Sequence, residues 1–304
     1  VTAGSVDEFE AQRPRLFGLA YRLLGSAEEA EDAVQDAFLR WNGADRAAIE
    51  TPSAWLAKVV TNLCLNRLTS ARARREQYIG QWLPEPVVTE GGALGPLETT
   101  EQRESVSLAL LVLLERLTPT ERAVFVLREA FGYSHREVAE LVELTEPHCR
   151  QLHRRARERV TADAARPVRT PDREQWRRFV ERFLTAARDG DLPGLERLLA
   201  ADAISWADGG GRVGVARRPI LGATKIARYL AGGWAKFARD VEFTLAEVNG
   251  GPGVLAWLDG ALGAVLAFDI ADERVTGLRI IANPDKLAIV ERQTLDQEVA
   301  SRER

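Results

Sequence analysis

Residues 134–160 read SHREVAELVELTEPHCRQLHRRARERV. Ser134 and Glu137 have the spacing of a capping box, which starts a short helix. A tight turn around Leu144-Thr145 follows, and then a longer helix. Leu152, Ala156 and Val160 recur at i, i+4 and i+8, the period of one buried helical seam. His148, Arg150, Gln151, Arg154, Arg155 and Arg157 surround that seam. The pattern is a helix-turn-helix whose second helix would lie in a DNA major groove, its N-terminal residues reading base edges. Helix pairs of this kind also occur without DNA, but a basic, amide-bearing second helix favours a nucleic-acid partner.

Thr118-Pro119-Thr120-Glu121 is a further capping box upstream, so residues 104–165 form one helical domain. Residues 1–78 read as another. There Ser26 and Glu29 again have capping-box spacing, and Ala30, Ala33, Val34, Ala37, Phe38 and Trp41 make one apolar stripe. The opposite face carries Glu28, Glu31, Asp32, Gln35 and Asp36. Thr51-Pro52 opens the next helix, with proline at its first position. From Lys58 to Arg75 that helix has no acidic residue, and it holds Lys58, Arg67, Arg72, Arg74 and Arg75. Asn62 and Asn66 lie one turn apart on the same face. Basic groups with interspersed amides suit phosphate neutralisation plus base contacts; a solvated helix end favoured by the dipole is the plainer alternative. An acidic face would be repelled by DNA. Placed beside basic helices, it suggests a bridge between a protein partner and DNA.

Two breaks punctuate the chain. WLPEPVVTEGGALGPLE (82–98), within a linker at 79–103, is too rich in proline and glycine for a regular element, and so is ARPVRTPD (165–172). After a short linker at 166–173, residues 174–290 change texture. One amphipathic helix carries Trp176, Phe179, Val180, Phe183, Leu184 and Ala187. Strand-like stretches VEFTLAEV, GVLAWLDG, GAVLAFDI and RVTGLRII follow, and antiparallel pairing is expected in an α+β domain. Residues 291–304 alternate in charge and are compatible with either a helix or a frayed tail.

WADGGGRVG (206–214) has the spacing G-x-G-x-x-G at Gly209, Gly211 and Gly214. The strand-to-helix setting of a dinucleotide loop is missing, because VARRPILGATK follows. A turn that holds Asp208 and Arg212 exposed is expected instead, its glycines permitting positive φ.

Composition excludes several classes. At 304 residues the chain can hold two or three cores, and 45% hydrophobic with 28% charged residues is globular. Cys64 and Cys149 make no disulfide framework or zinc spacing. No apolar run reaches about 18 residues and no signal-peptide pattern is present, so no membrane association is expected and the cytoplasm is the expected location. All three histidines, His135, His148 and His153, lie in the helix-turn-helix domain. The C-terminal part therefore lacks the usual acid–base and zinc groups, leaving Asp208, Asp269 and Asp285. A non-enzymatic domain without cofactor or metal is expected. Trp206, Trp234, Phe237, Trp257 and Phe268 would either fill its core or line a small-ligand pocket.

LAYRLLGSAEEAEDAVQDAFLRW, TPSAWLAKVVTNLCLNRL and the stretch from Leu114 to Val160 resemble the two domains of extracytoplasmic-function sigma factors. The resemblance implies two all-α sigma domains, a helical bundle and the helix-turn-helix. It implies that Glu31, Asp32, Gln35, Asp36, Leu39 and Arg40 dock on the β′ clamp helices of core RNA polymerase, with the β flap as a further contact. Trp55, Lys58, Asn62, Asn66, Arg67, Arg72 and Arg74 would engage and open the promoter −10 element. His148, Arg150, Gln151, Arg154 and Arg155 would read the −35 element. Asn66 departs from the family, which often has Asp there.

Residues 174–290 resemble SnoaL-like domains, cone-shaped α+β barrels found as extensions in a subgroup of these sigma factors. Three motifs of that subgroup are present in order: Trp82-Leu83-Pro84-Glu85-Pro86, Asp208-Gly209-Gly210-Gly211-Arg212 and Asn283-Pro284-Asp285-Lys286-Leu287. The resemblance implies regulation in cis, in place of a separate anti-sigma protein, through contact between the linker motif and the other two.

Overall fold

The structure, a computed structural model, describes residues 3–76, 78–90, 94, 103–163, 172–237 and 241–302. The side chains of 3–5, 70–76, 163, 235–237 and 296–302 are outside that description, as are most of 91–98 and 165–172. The chain divides into two compact units. One combines residues 1–77 with 91–164; the other combines 78–90 with 165–304. The segment Tyr78–Glu90, which takes in the start of the linker expected at 79–103, thus belongs with the C-terminal part.

The first unit is helical. Helix α1 (Ala3–Leu24), α2 (Ala27–Gly43) and α3 (Pro52–Glu76) pack on one another, and the apolar stripe of α2 is buried at Ala30, Ala33, Val34, Ala37 and Trp41. Ser26 caps α2 by accepting from Glu29 N at 3.1 Å. Helices α4 (Leu108–Leu114), α5 (Pro119–Glu129), α6 (His135–Val142) and α7 (Glu146–Asp163) complete the unit. Thr118/Glu121 and Ser134/Glu137 each form the reciprocal capping box that their spacing predicts. Cys149, Leu152, Ala156 and Val160 form the buried seam of α7. The turn before it places Glu143 at φ 57°, a left-handed conformation that caps α6.

The two helical groups of this unit touch. α5 packs on α1 and α3, and α6 packs on α3. Arg122 of α5 is 3% exposed and donates to Leu23 O in the last turn of α1 and to Glu115, both at 2.8 Å. Cation and helix C-terminus are a favourable combination, yet burial lowers the Arg122 guanidinium pKa to about 9.

The second unit is α+β. Helices α8 (Arg173–Asp189) and α9 (Leu192–Leu198) lead into β1 (Leu199–Asp208), β2 (Ile220–Leu221) and α10 (Ala223–Phe237). Four strands follow: β3 (Val241–Val248), β4 (Gly251–Leu258), β5 (Ala261–Ala271) and β6 (Arg274–Ile281). The sheet order is β2-β1-β6-β5-β4-β3. Contrary to the all-antiparallel expectation, β1 and β6 pair in parallel. The reason is topological: β1, read from sequence as no strand, enters the sheet from α9 beside the last strand.

Trp176, Phe179, Val180 and Phe183 of α8 pack with Leu195, Ile226, Val254, Phe268, Ile270 and Leu278 in one core. Phe183 meets Phe268 edge-on at 5.4 Å, and Trp234 stacks on Phe243 at 4.7 Å. Phe268 and Trp234 therefore serve the core. Trp206 sits under the Arg279 guanidinium at 4.8 Å, and Arg279 also pairs with Asp269 at 2.5 Å. Trp257 is half-buried, and the Phe237 side chain lies outside the described residues. The last described element is helix α11 (Ala288–Arg302), so 291–302 is helix.

Candidate functional site

The exposed face of α7 is set by its buried seam. Because Cys149, Leu152, Ala156 and Val160 face inward, His148, Arg150, Gln151, Arg154 and Arg155 are all exposed on the remaining face. Arg150 pairs with Glu146 and Arg154 with Glu158, both across one turn of the same helix. Such exposed pairs contribute little to stability.

On α2, Asp32, Gln35, Leu39 and Arg40 are exposed; Leu39 stands out as an apolar side chain 62% exposed. Glu31 pairs with Arg13 at 3.1 Å. Asp36 pairs with Arg67 of α3 at 2.7 Å, and Arg67 also donates to Glu29 O. The acidic and basic surfaces are thus joined at one point, between two residues expected to serve different partners. On α3, Asn66 is exposed, Asn62 is half-buried, and Trp55 packs 5.7 Å from Trp41. Lys58 pairs at 3.0 Å with Glu143, the left-handed residue in the helix-turn-helix turn. The side chains of Arg72 and Arg74 lie outside the described residues.

In the second unit the three short motifs meet around one carboxylate. Asp208 ends β1 and is 1% exposed, not presented on an open turn as the glycines suggested. Its Oδ2 accepts from Leu83 N at 2.9 Å and from Lys286 Nζ at 2.7 Å. Its Oδ1 accepts from Tyr78 OH at 2.6 Å and from Gly210 N at 3.0 Å. Asn283 caps the short 3-10 turn Pro284–Lys286 and donates from Nδ2 to Tyr78 OH at 2.8 Å. Lys286 Nζ also donates to Leu83 O at 2.5 Å and stands 4.4 Å from the Trp82 ring centroid and 4.9 Å from that of Tyr78. A buried cation with two acceptors and two aromatic faces is a satisfied one.

The rest of the segment is held as firmly. Leu83, Pro84 and Pro86 are buried, while Trp82 and Glu85 are half-buried. Val88 bridges Val248 at the edge of β3, Thr89 N donates to Glu247 O, and Asn249 accepts from Val87 N through its side chain. The linker thus caps the end of an edge strand, whose free backbone groups invite such pairing. Leu287 is buried, whereas Arg212 and Asp285 form an exposed pair at 2.9 Å.

The glycines have separable reasons. Gly210 has φ +62°, and a Cβ there would lie 2.5 Å from the Asn283 side chain; Gly211 has φ +74°. A Cβ on Gly209 would lie 2.3 Å from Val213 O, while at Gly214 it would meet open space. The loop is shaped for the Asn283 turn. Tyr78 is the residue that sequence motifs missed. Its only signal is an aromatic immediately after the charged run ARARREQ, four residues before Trp82. Burial and Asp208 push its phenol pKa up.

Comparison with known proteins places this geometry. Residues 9–74 match the model for Sigma-70 region 2, and residues 107–160 match that for Sigma-70, region 4. The ECF RNA polymerase sigma factor SigJ of Mycobacterium tuberculosis is 40% identical over 290 residues, covering 92% of each chain. A probable ECF RNA polymerase sigma factor SigI of the same species is 33% identical over 281 residues, covering 92% of this chain and 93% of that protein. The crystal structure of M. tuberculosis SigJ superimposes with a TM-score of 0.74 at 36% identity, covering 93% of this chain and 98% of that one. Two helical sigma domains followed by a SnoaL-like α+β domain are therefore the architecture of this chain, and it belongs to the extracytoplasmic-function RNA polymerase sigma factors.

Proposed function

We propose that this sigma factor recruits core RNA polymerase through α2, opens the −10 element with α3 and reads the −35 element with α7, under control of its own C-terminal unit. The residues for these roles are those named from the sequence: Glu31, Asp32, Gln35, Asp36, Leu39 and Arg40 for polymerase; Trp55, Lys58, Asn62, Asn66, Arg67, Arg72 and Arg74 for −10 DNA; His148, Arg150, Gln151, Arg154 and Arg155 for −35 DNA. Purified chain added to core polymerase should start transcription at a defined promoter. Failure to bind core would contradict this reading.

The observation that carries the regulatory part is the Asp208 carboxylate, which holds Tyr78, Leu83 N and Lys286 at once. Promoter elements about 25 base pairs apart are about 85 Å apart at 3.4 Å per step. Lys58 and Glu143, one on each reading half, are 3.0 Å apart. The two halves must separate before both elements are engaged. The chain joining them passes through the second unit at Tyr78–Glu90, and freeing those thirteen residues adds up to about 45 Å of reach. Holding the segment restrains initiation; releasing it permits initiation.

Sigma factors are not an enzymatic family, and the C-terminal unit is read as a binding module rather than a catalyst. Asp208 and Asp269, two of its candidate acids, are engaged with Lys286 and Arg279. A small ligand acting through this unit has a place in a cleft of about 200 Å³ between Ile79–Gln81 and the 209–217 loop. It would act only by preferring one state of the segment over the other. Among the described residues no helix is long and apolar enough to cross a membrane, and action beside polymerase in the cytoplasm is the reading that fits.

A further inference from the structure

His135 and His153, two of the three histidines in the chain, lie together inside the helix-turn-helix. His135 is the first residue of α6, and its Nε2 is 3.4 Å from His153 Nδ1 on α7. His153 Nε2 is 2.7 Å from Glu129 Oε1 at the end of α5. The imidazole of His153 is 13% exposed, with the Phe125 ring 6.5 Å away. One hydrogen-bonded chain therefore links all three helices of the motif.

We infer that His135, His153 and Glu129 form a proton-linked positioning relay that fixes the recognition helix for −35 binding. This rests on the assignment of α7 to the −35 element. With both rings neutral, His135 Nε2–H donates to His153 Nδ1, and His153 Nε2–H donates to Glu129. One added proton is also accommodated, since His153 then donates from both nitrogens and His135 becomes the acceptor. A second proton turns both facing nitrogens into donors, and the link between α6 and α7 breaks.

The charged groups facing the pair are Arg128 and Glu129 on α5, and Glu146 and Arg150 on α7. Desolvation, then Arg128, His153 and Arg150, push the His135 pKa below its ordinary value, against an opposing effect of Glu146. A folded-state pKa below the unfolded one means that the link is complete above about pH 6.5 and is lost as pH falls below it. Neither ring is placed on the DNA-reading face, so the relay acts through the angle of α7.

The test is fluorescence anisotropy of the full chain with a −35 duplex and a scrambled duplex, at constant ionic strength from pH 7.5 to 5.5. The ratio of the two affinities cancels the general gain in phosphate attraction. Wild type should lose about threefold to tenfold of its preference across this range, up to about one pKa unit of coupling. His153→Gln should show a flat ratio. Glu129→Gln, which keeps both rings but replaces the carboxylate paired with His153 Nε2, should give a profile different from that of wild type. Identical profiles in wild type, His153→Gln and Glu129→Gln would overturn the relay while leaving the −35 assignment intact. Absence of any duplex preference at every pH would overturn the −35 assignment and the relay with it.

Discussion

Lys286 Nζ lies 2.7 Å from Asp208 Oδ2, with the two side chains 7% and 0% exposed. This pair joins the end of β1 to the turn after β6, and the same carboxylate holds Leu83 N of the linker segment. Desolvation of two ions opposes their attraction, so such a pair stabilises only when its remaining hydrogen bonds are made. Here they are made by Tyr78, Leu83 and Gly210. The contact is therefore selective: it is complete only while the segment is in place.

Breaking one side of this pair should be expensive. Asp208→Asn or Lys286→Met is expected to destabilise the C-terminal unit by about 3–5 kcal/mol, because each leaves a buried charge uncompensated. Denaturant unfolding of each single variant and of the double variant gives the coupling directly. The double variant should lose clearly less than the sum of the singles.

The glycine loop offers a sharp contrast. Gly210→Ala should cost about 1–3 kcal/mol in thermal unfolding, through left-handed strain and contact with Asn283. Gly214→Ala, with ordinary φ and open space, should stay within about 0.5 kcal/mol. Equal effects at the two positions would contradict the conformational role assigned to the loop.

Tyr78→Phe removes a hydroxyl that donates to Asp208 and accepts from Asn283. A loss of about 1.5–3 kcal/mol is expected for a bond to a charged group, with faster hydrogen exchange across residues 78–90. The phenol's pKa is raised in the folded state, so its contribution is complete below about pH 10 and is lost as pH rises further. Absorbance titration should show late-ionising phenols, Tyr78 and Tyr133 among the four tyrosines; in Tyr78→Phe one of those late steps should be gone.

In the helix-turn-helix, Ser134→Ala should cost about 1 kcal/mol by removing the N-cap of α6. Ser134 hydrogen bonds hold the Glu137 carboxyl below its ordinary pKa, so the cap is complete above the carboxylate range and weakens as pH falls through it. Circular dichroism melts from pH 7 to 4 should show Ser134→Ala losing less on acidification than wild type.

Arg154→Ala or Arg155→Ala should weaken −35 duplex binding by about 1–3 kcal/mol where the side chain contacts a base. Where it contacts phosphate, the loss should be similar on all sequences, with a reduced salt slope.

The helical half was legible because its signals are local. Ser134, Glu137 and the Leu152–Ala156–Val160 seam lie within a few turns of each other, and both capping boxes form as their spacing predicts. β3 was also readable from its alternation, and β4 and β5 as short apolar runs between turns. β1 was not, because LAADAISWAD alternates poorly and its partner β6 is about seventy residues away. Asp208 looked like a turn residue for the same reason. Its burial comes from Tyr78, Leu83 and Lys286, which only the fold brings together. The motifs named Leu83 and Lys286 but not the bond between them, and Tyr78 had no motif at all.

In the proposed regulation, the Asp208–Lys286 contact restrains initiation by holding Tyr78–Glu90. Run-off transcription with purified core polymerase, comparing wild type and Lys286→Met on one promoter, tests it most directly. One start site shared by both proteins is expected, with Lys286→Met initiating at least about threefold faster, on the order of 0.7 kcal/mol in the barrier. Equal rates from the same start site, with residues 78–90 shown by hydrogen exchange to be released, would contradict it.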